Sequence, residues 1–142
     1  MHISAKTDYG LRAVLELSIH FGEGCIHSGD IAAAQNIPES YLVQLLNQLR
    51  KAGLIRSTRG PKGGHQLVRR PDEVTVREVT SALEGPVDLT GKGEERSPAS
   101  PAADVFREVW DDVENAIDSV LSGTTFADLV RRQSRSAITF RI

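Results

Sequence analysis

The chain has 142 residues, a formal net charge of −2, and 39% hydrophobic and 25% charged residues, values that are ordinary for one soluble globular domain or a small domain with an appendage. They indicate no particular partner and argue against a membrane protein, because no apolar run approaches the length that spans a bilayer. A single cysteine excludes an internal disulfide and, with an N-terminus that lacks a signal-peptide pattern, leads us to expect a cytoplasmic protein.

The first half of the chain predicts a helix-turn-helix. Apolar residues at helical spacing indicate a helix from about Ala5 to Phe21, and Ser28 is a suitable N-cap for a short, alanine-rich second helix. Asn36 tolerates the left-handed conformation that a tight turn needs, and Ile37 after it is a candidate core residue. A third helix follows, with Pro38 at its first turn.

This third helix has one apolar and one polar face. Its leucines recur at i, i+3, i+4 and i+7, which predicts a buried stripe of Leu42, Leu45, Leu46 and Leu49. The opposite face carries neutral hydrogen-bonding groups and one cation, which suit base edges and phosphates in a major groove. By itself such a face is more typical of an ordinary solvated surface. Its candidate DNA-binding residues are Ser40, Gln44, Asn47, Gln48 and Lys51.

A hairpin with a glycine-rich tip makes the DNA-binding interpretation more specific. Its predicted strands are Leu54–Thr58 and His65–Val68. Glycines in the tip let the backbone approach a phosphate or enter a minor groove, where a guanidinium is attracted. The alternative is a plain surface hairpin with two cations, but a helix-turn-helix directly before it favours a winged helix. The candidate residues of the tip are Arg59, Gly60, Lys62, Gly63 and Gly64.

Charge is divided along the chain. Residues 50–77 contain eight cations and two anions, whereas residues 84–118 contain ten anions and three cations. Such a division concentrates positive potential at one end of the molecule. We expect the basic part to face DNA and the acidic part to face away from it.

The longest predicted helix, over about 102–122, follows a capped shorter helix and a loop. A capping box at Thr75 and Glu78 opens the shorter helix, Gly85 closes it, and a Gly-, Pro- and Ser-rich loop covers 85–101. The apolar stripe of the long helix is too wide for a helix beside a small domain, so we expect a self-complementary dimer interface rather than intrachain core. The expected interface residues are Val105, Phe106, Val109, Trp110, Val113, Ile117 and Val120.

The C-terminal segment completes the predicted organisation. A second capping box at Thr125 and Asp128 indicates a final helix to about Gln133, and the alternating tail over 137–142 predicts a short strand. The expected fold is mainly α: a winged helix-turn-helix domain with a two-stranded wing over 1–84, a loop over 85–101, and a dimerisation helix with the C-terminal segment over 102–142.

Short motifs run through nearly the whole chain, from Met1 to about Gln133. They are Ile3-Ser4-x-x-x-x-Tyr9, Ile31-Ala32, Ser40-Tyr41-Leu42-x-Gln44-Leu45-Leu46, Leu49-Arg50-Lys51-Ala52-Gly53-Leu54-Ile55, Arg59-Gly60-Pro61-x-Gly63-Gly64, Leu83-Glu84-Gly85-Pro86 and Thr125-Phe126-Ala127-Asp128-Leu129. With this set the chain resembles the IscR/NsrR/CymR-type winged-helix repressors, the bacterial Rrf family. The resemblance implies a homodimer held by the long helix, with recognition helices in adjacent major grooves and wings in the minor groove of a palindromic operator. It adds Ser28, Pro38 and Tyr41 to the expected DNA-binding residues.

The chain departs from part of this family at its metal ligands. Iron–sulfur members carry three cysteines in the loop between the fourth and the long helix, but this loop has none, so we expect no cluster and no other cofactor. Asp8 stands where some members supply a carboxylate ligand and is expected to be an ordinary first-turn acid. The four histidines lack metal-ligand spacing, and His65 is expected to pack in the wing. Val43 replaces a glutamate that some relatives use in base reading, which predicts a different sequence preference.

Cys25 lies in the loop before the helix-turn-helix. A single cysteine at this place resembles the cluster-free CymR-like branch, which regulates cysteine metabolism and, as a family trait, associates with cysteine synthase. Two interpretations remain open. Cys25 is either a thiol redox switch, through a sulfenate or a mixed disulfide, or a small hydrophobic residue in a loop.

No enzyme signature is present, neither a phosphate-binding loop nor a nucleophile with its base. The expected function is a sequence-specific DNA-binding transcriptional regulator, a repressor that acts as a homodimer under thiol-redox or partner-protein control. The alternative is a winged-helix protein-assembly module or sequestered sensor that does not bind DNA specifically. Salt separates the two, because DNA binding weakens steeply with salt and an apolar protein interface does not.

Overall fold

The structure, a computed structural model, describes residues 2–91 and 98–141, with side chains up to residue 137. It confirms the mainly helical winged fold with a long C-terminal helix. The wing is a two-stranded antiparallel sheet in which Ile55 pairs with Leu67 and Thr58 with Gly64. In chain order the elements are α1 (Ala5–Ile19), α2 (Ser28–Gln35), α3 (Glu39–Lys51), β1 (Ile55–Thr58), β2 (Gly64–Leu67), a 3-10 turn (Pro71–Glu73), α4 (Val76–Glu84), α5 (Pro101–Ser122) and α6 (Phe126–Arg141).

The turn between α2 and α3 has the predicted backbone. Asn36 is left-handed, with φ 53° and ψ 52°, and Ile37 beyond it is buried. Ser28 as the N-cap of α2 is wrong, because the extended residue before the helix is His27 and Ser28 already has a helical position. The Ser28 hydroxyl donates instead to Glu39 Oε1 at 3.3 Å, which joins the starts of α2 and α3.

The core lies where α1, α2, α3, α4 and the wing meet. The predicted leucine stripe of α3 is buried completely, and the middle of α1 packs on it. Phe21, expected on the stripe of α1, lies beyond the end of that helix and is 41% exposed. The buried core residues are Ala13, Val14, Leu17, Ile31, Ala32, Ile37, Leu42, Leu45, Leu46, Leu49, Leu54, Ile55, Leu67, Val74, Val79, Leu83 and Phe126.

The start of α6 returns the C-terminal segment to this core. Phe126 is fully buried, and its N–H donates to the carbonyl of Val74 at 3.0 Å. The predicted capping box is confirmed: Asp128 N–H donates to Thr125 Oγ1 at 3.2 Å, and Thr125 N–H donates to Asp128 Oδ2 at 3.0 Å. The last helix of the segment 102–142 thus contributes to the core of the winged domain.

Helix α6 is longer than the sequence analysis predicted. It continues to Arg141, so the expected strand is wrong for 137–141, and Ile142 lies outside the described residues. An alternating pattern of six residues is a weak strand signal. Once a helix is nucleated at a capped start, each added residue gains a hydrogen bond without a new nucleation cost.

Helix α5 has a well-formed N-cap, but the rest of the described structure buries little of its surface. Its N-cap Ser100 accepts from Ala103 N–H at 3.0 Å, and Pro101 occupies the first turn. None of its 22 residues is buried. The predicted interface residues separate onto two adjoining faces. Trp110 and Ile117 line a cavity against α4, although Trp110 is still 44% exposed. The outward face is 45–66% exposed at Val105, Phe106, Val109 and Val120. In the part of the chain that the structure describes, no helix is long and apolar enough to cross a membrane.

Candidate DNA-binding surface

The exposed side of α3 brings together most of the polar residues expected to bind DNA. Four residues of this side are exposed, and Pro38 is exposed at the start of the helix. Arg50 Nη2 donates to Asn47 Oδ1 at 2.6 Å, so a cation lies directly beside an amide on the same surface. The four residues are Ser40, Gln44, Asn47 and Lys51.

Gln48 is placed elsewhere. It is half-buried, and its Nε2 donates to the carbonyls of Ala82 and Leu83, both at 3.2 Å. These two carbonyls belong to the last turn of α4, where helix carbonyls lack intrahelical partners. Gln48 therefore joins the third helix to α4, and its amide group is already engaged inside the protein. The partners lie 34 and 35 residues away, so no local pattern revealed this role.

Tyr41 is also partly engaged inside the protein. Its ring meets the ring of Tyr9 edge-on, with centroids 5.8 Å apart, and the Arg12 guanidinium lies 4.8 Å from the Tyr9 ring centroid. Arg12 Nη1 donates to the carbonyl of Gln35 at 2.8 Å. These contacts fix the start of α3 and the end of α2 against α1, which the sequence analysis did not foresee.

The wing tip is shaped by its glycines. Gly60 has φ +107°, a conformation that side chains disfavour, and its carbonyl accepts from Gly63 N–H at 2.9 Å. A Cβ on Gly63 would stand 2.2 Å from the carbonyl oxygen of Thr58, so Gly63 is buried and sets the turn. The cations Arg59 and Lys62 are exposed at the tip.

A β-bridge clamps the wing to the loop before α2. Ile26 and His65 exchange backbone hydrogen bonds of 2.9 and 2.8 Å. A Cβ on Gly64 would lie 2.5 Å from the Ile26 carbonyl, so this glycine permits the close approach and is not exposed for DNA. The His27 Nε2 lies 3.2 Å from the carbonyl oxygen of Pro61 and holds the tip from the same side.

The expectation that His65 packs in the wing is confirmed. Its Nδ1 lies 2.8 Å from Ser57 Oγ on the paired strand. Burial lowers the pKa of His65, and the nearby His27 lowers it further. The folded wing thus favours the neutral imidazole, so this contribution to stability is present above about pH 6.5 and is lost as the pH falls through the lowered pKa.

The positive charge of residues 50–77 is divided into paired and unpaired cations. Three arginines form ion pairs away from the wing tip: Arg69 with Glu78, Arg70 with Asp72, and Arg77 with Asp118. Within the described residues, no ion pair involves the five exposed cations of α3 and the wing. These are Arg50, Lys51, Arg56, Arg59 and Lys62.

Cys25 and Asp8 occupy ordinary surroundings. Cys25 is a half-buried free thiol directly before the bridged Ile26. Asp8 forms the expected first-turn contact, an ion pair of 3.2 Å with Arg12. Among the described residues, no group of three His, Cys, Asp or Glu side chains is arranged to hold a metal ion.

Comparisons with known proteins extend over almost the entire chain. The profile of the Rrf2 family, described as an iron-dependent transcriptional regulator, matches residues 3–132. The HTH-type transcriptional regulator CymR of Bacillus subtilis is 40% identical over 129 residues, which cover 91% of this chain and 89% of CymR. IscR of Aliivibrio salmonicida, also an HTH-type transcriptional regulator, is 36% identical over 130 residues, or 92% of this chain and 77% of IscR. The solved structure of CymR, the global cysteine regulator of B. subtilis, has a TM-score of 0.80 at 38% identity and covers 93% of this chain and 98% of that one.

Proposed function

The chain belongs to the Rrf2 family of transcriptional regulators, and we propose that it is a cytoplasmic repressor that binds a palindromic operator as a homodimer and holds no iron–sulfur cluster. Its relatives are regulators that contain a helix-turn-helix and are not enzymes. Dimerisation, the palindrome and the cluster-free state are the parts of the function that the following observations support.

The observation that carries DNA binding is the position of the five exposed cations of α3 and the wing that form no ion pair in the described part of the chain. They border the polar side of α3 and continue along the wing, whereas Arg69, Arg70 and Arg77 of the basic stretch are neutralised by carboxylates. A helix with exposed amides suits a major groove, and a basic tip suits a minor groove or its phosphates. Lys51 and Arg59 would then contact backbone phosphates on either side of the bases that Gln44 reads.

Homodimerisation is supported by α5. A helix of 22 residues without one buried residue, and with four large apolar side chains on one outward face, presents more apolar surface than a lone helix retains in water. An isologous pairing of two such faces would cover them and relate two recognition helices by a two-fold axis. That symmetry is matched by a palindromic operator.

The residues around the loop after α4 do not fit an iron–sulfur cluster. Such clusters are held by thiolates, and the only cysteine of the chain is Cys25, in the loop before α2. Regulation must then use another signal. Cys25 adjoins the bridge at Ile26 that clamps the wing, so thiol oxidation there is one route by which the wing would be displaced, and a partner protein is the other.

Operator binding tests the proposal directly. DNA fragments bound by the purified protein are selected from random sequence, and affinity is then measured at several salt concentrations. Lys62→Ala and Arg59→Ala should each reduce the slope of log affinity against log salt by about one for each phosphate that the replaced cation neutralises. Arg70→Ala is the matched control, since Arg70 is exposed but paired with Asp72, and its slope should stay that of the wild type.

Two results would contradict the proposal. Selection without enrichment of any sequence would exclude a specific operator. Binding that barely changes with salt, with wild-type slopes in both wing variants, would instead favour the protein-assembly module.

A further inference from the structure

A cavity of about 950 Å³ lies between the start of α1, helix α4, the segment after α4, and α5. This volume falls within the roughly 300–1,000 Å³ of typical small-molecule sites. The hydrogen bond from Leu89 N–H to Glu114 Oε1, 2.6 Å long, fixes the segment after α4 against α5. The wall is mainly apolar and includes Leu11, Val76, Leu89, Trp110, Ile117 and Leu121.

The polar part of the lining combines two carboxylates with His2, Thr7 and Thr80. It includes Glu84, whose carboxylate accepts from Ser4 Oγ, and Asp88, whose Oδ1 accepts from Gly91 N–H at 2.9 Å. Among the described residues that line the cavity, none is lysine or arginine, and His2 is the one basic side chain against two carboxylates. The carboxyl end of α4, with its partial negative charge, also lies here. The ring of Trp110 adds a surface that attracts cations.

The same end of α4 is bonded to the recognition helix. Gln48 of α3 donates to the carbonyls of Ala82 and Leu83, and the next residue is Glu84 of the cavity wall. A ligand that pushes the end of α4 outward would strain or break these two hydrogen bonds. Helix α3 would then be held less firmly in its orientation within the domain.

We propose that this α4–α5 cavity binds a lipophilic organic cation, such as a hydrophobic amine or a quaternary onium ion, and that binding weakens operator affinity through Gln48. The apolar wall would hold the hydrocarbon part of the ligand, while Glu84, Asp88 and the end of α4 would face its charge. The regulatory half of this proposal rests on the proposed function as a repressor, whereas the binding half does not.

The binding half is tested with tetraphenylphosphonium on the full-length protein. Trp110, the only tryptophan of the chain, lies in the wall, so its fluorescence reports occupancy directly. Tetraphenylphosphonium should change the emission saturably. Tetraphenylborate, of the same shape and opposite charge, should bind much more weakly. Failure of the cation to bind, or equal binding of both ions, would overturn the proposal.

The position of the charge is tested by removing one carboxylate at a time. Glu84→Gln should weaken tetraphenylphosphonium binding by roughly two- to fivefold, as expected for a partly exposed charge pair. Glu108→Gln removes the same charge from an exposed position of α5 that does not line the cavity. Its affinity should equal that of the wild type, and an equal loss in both variants would place the ligand elsewhere.

The coupling is tested by operator affinity with and without saturating tetraphenylphosphonium. The wild type should lose about tenfold in affinity, a usual size for coupling between two sites. Gln48→Met, which keeps the side-chain length but removes the donor, should still bind the cation while its operator affinity no longer responds. A bound cation without effect on the wild type would overturn the coupling. Absence of operator binding before any cation is added would count against the proposed function alone.

Discussion

Both ring nitrogens of His20 lie against carboxylates at the end of α1. Nδ1 is 2.7 Å from Glu23 Oε2, and Nε2 is 3.1 Å from Glu16 Oε1. Only an imidazolium donates from both nitrogens, and the contact with Glu23 is the main cause that raises the pKa of His20. The other oxygen of Glu16 accepts from Gln35 Nε2 at 2.7 Å, so this cluster also joins α1 to the last residue of α2.

His20→Gln should therefore change stability in a pH-dependent way. Because folding raises this pKa, the stabilisation is fully present below about pH 6.5 and is lost as the pH rises through the folded-state pKa. The partners are partly exposed, so the contribution is at most about 1 kcal/mol, or roughly 3 °C in Tm. Thermal melts of wild type and variant should differ most near pH 6 and converge near pH 9. Glu23→Gln should remove most of the same dependence. A constant difference at all pH values would contradict this origin.

At the scale of the element, the wing depends on the contact between Gly64 and Ile26. Gly64→Ala should destabilise the protein by about 1–3 kcal/mol in urea unfolding, because Gly64 has φ +129° and its new Cβ would overlap the Ile26 carbonyl. The displaced wing should also lower DNA affinity. Gly22→Ala is the control: φ is +88° there, but nothing lies within 4 Å, so only the backbone strain remains. Equal losses in both variants would show that the clamp contributes nothing.

Elements with local signals could be predicted, and contacts between distant elements could not. Asn36, the capping box at Thr125 and the leucine periodicity of α3 depend on neighbours within a few residues, and each has its predicted structure. The bridge between Ile26 and His65 joins residues 39 positions apart and leaves no periodic pattern. For the same reason the sequence did not predict the bonds of Gln48 to α4, since helical spacing alone does not reveal which neighbouring element a polar side chain meets.

The two faces of α5 also could not be distinguished from the sequence alone. The sequence showed a broad apolar stripe, from which a single interface was predicted. The structure separates the cavity face of Trp110 and Ile117 from the outward face of Val105 and Val109. Residues on the two faces lie within one helical turn of each other, so only the position of α4 distinguishes them.

At the scale of the whole molecule, the outward face of α5 predicts the response to an added charge. Val109→Glu would place like charges opposite each other across a two-fold interface, so sedimentation should show a shift towards monomer and operator affinity should fall. Asn115→Glu adds the same charge at an exposed position about 120° around the helix. It should remain dimeric. An intact dimer in the Val109 variant would place the interface elsewhere.

The single cysteine of the chain predicts that the protein holds no iron–sulfur cluster. Protein purified without oxygen should be colourless and contain neither iron nor sulfide in stoichiometric amounts, because one thiol does not hold a cluster. Absorption spectra and iron and sulfide assays measure this. Cys25→Ser should give the same result, and stoichiometric iron with sulfide in the wild type would contradict the cluster-free assignment.

The burial of Phe126 has a consequence for how the protein is made. The winged core lacks one of its fully buried side chains until this residue has left the ribosome, and it follows α5 in the chain. The core of the winged domain is therefore complete only after the helix assigned to dimerisation has been synthesised.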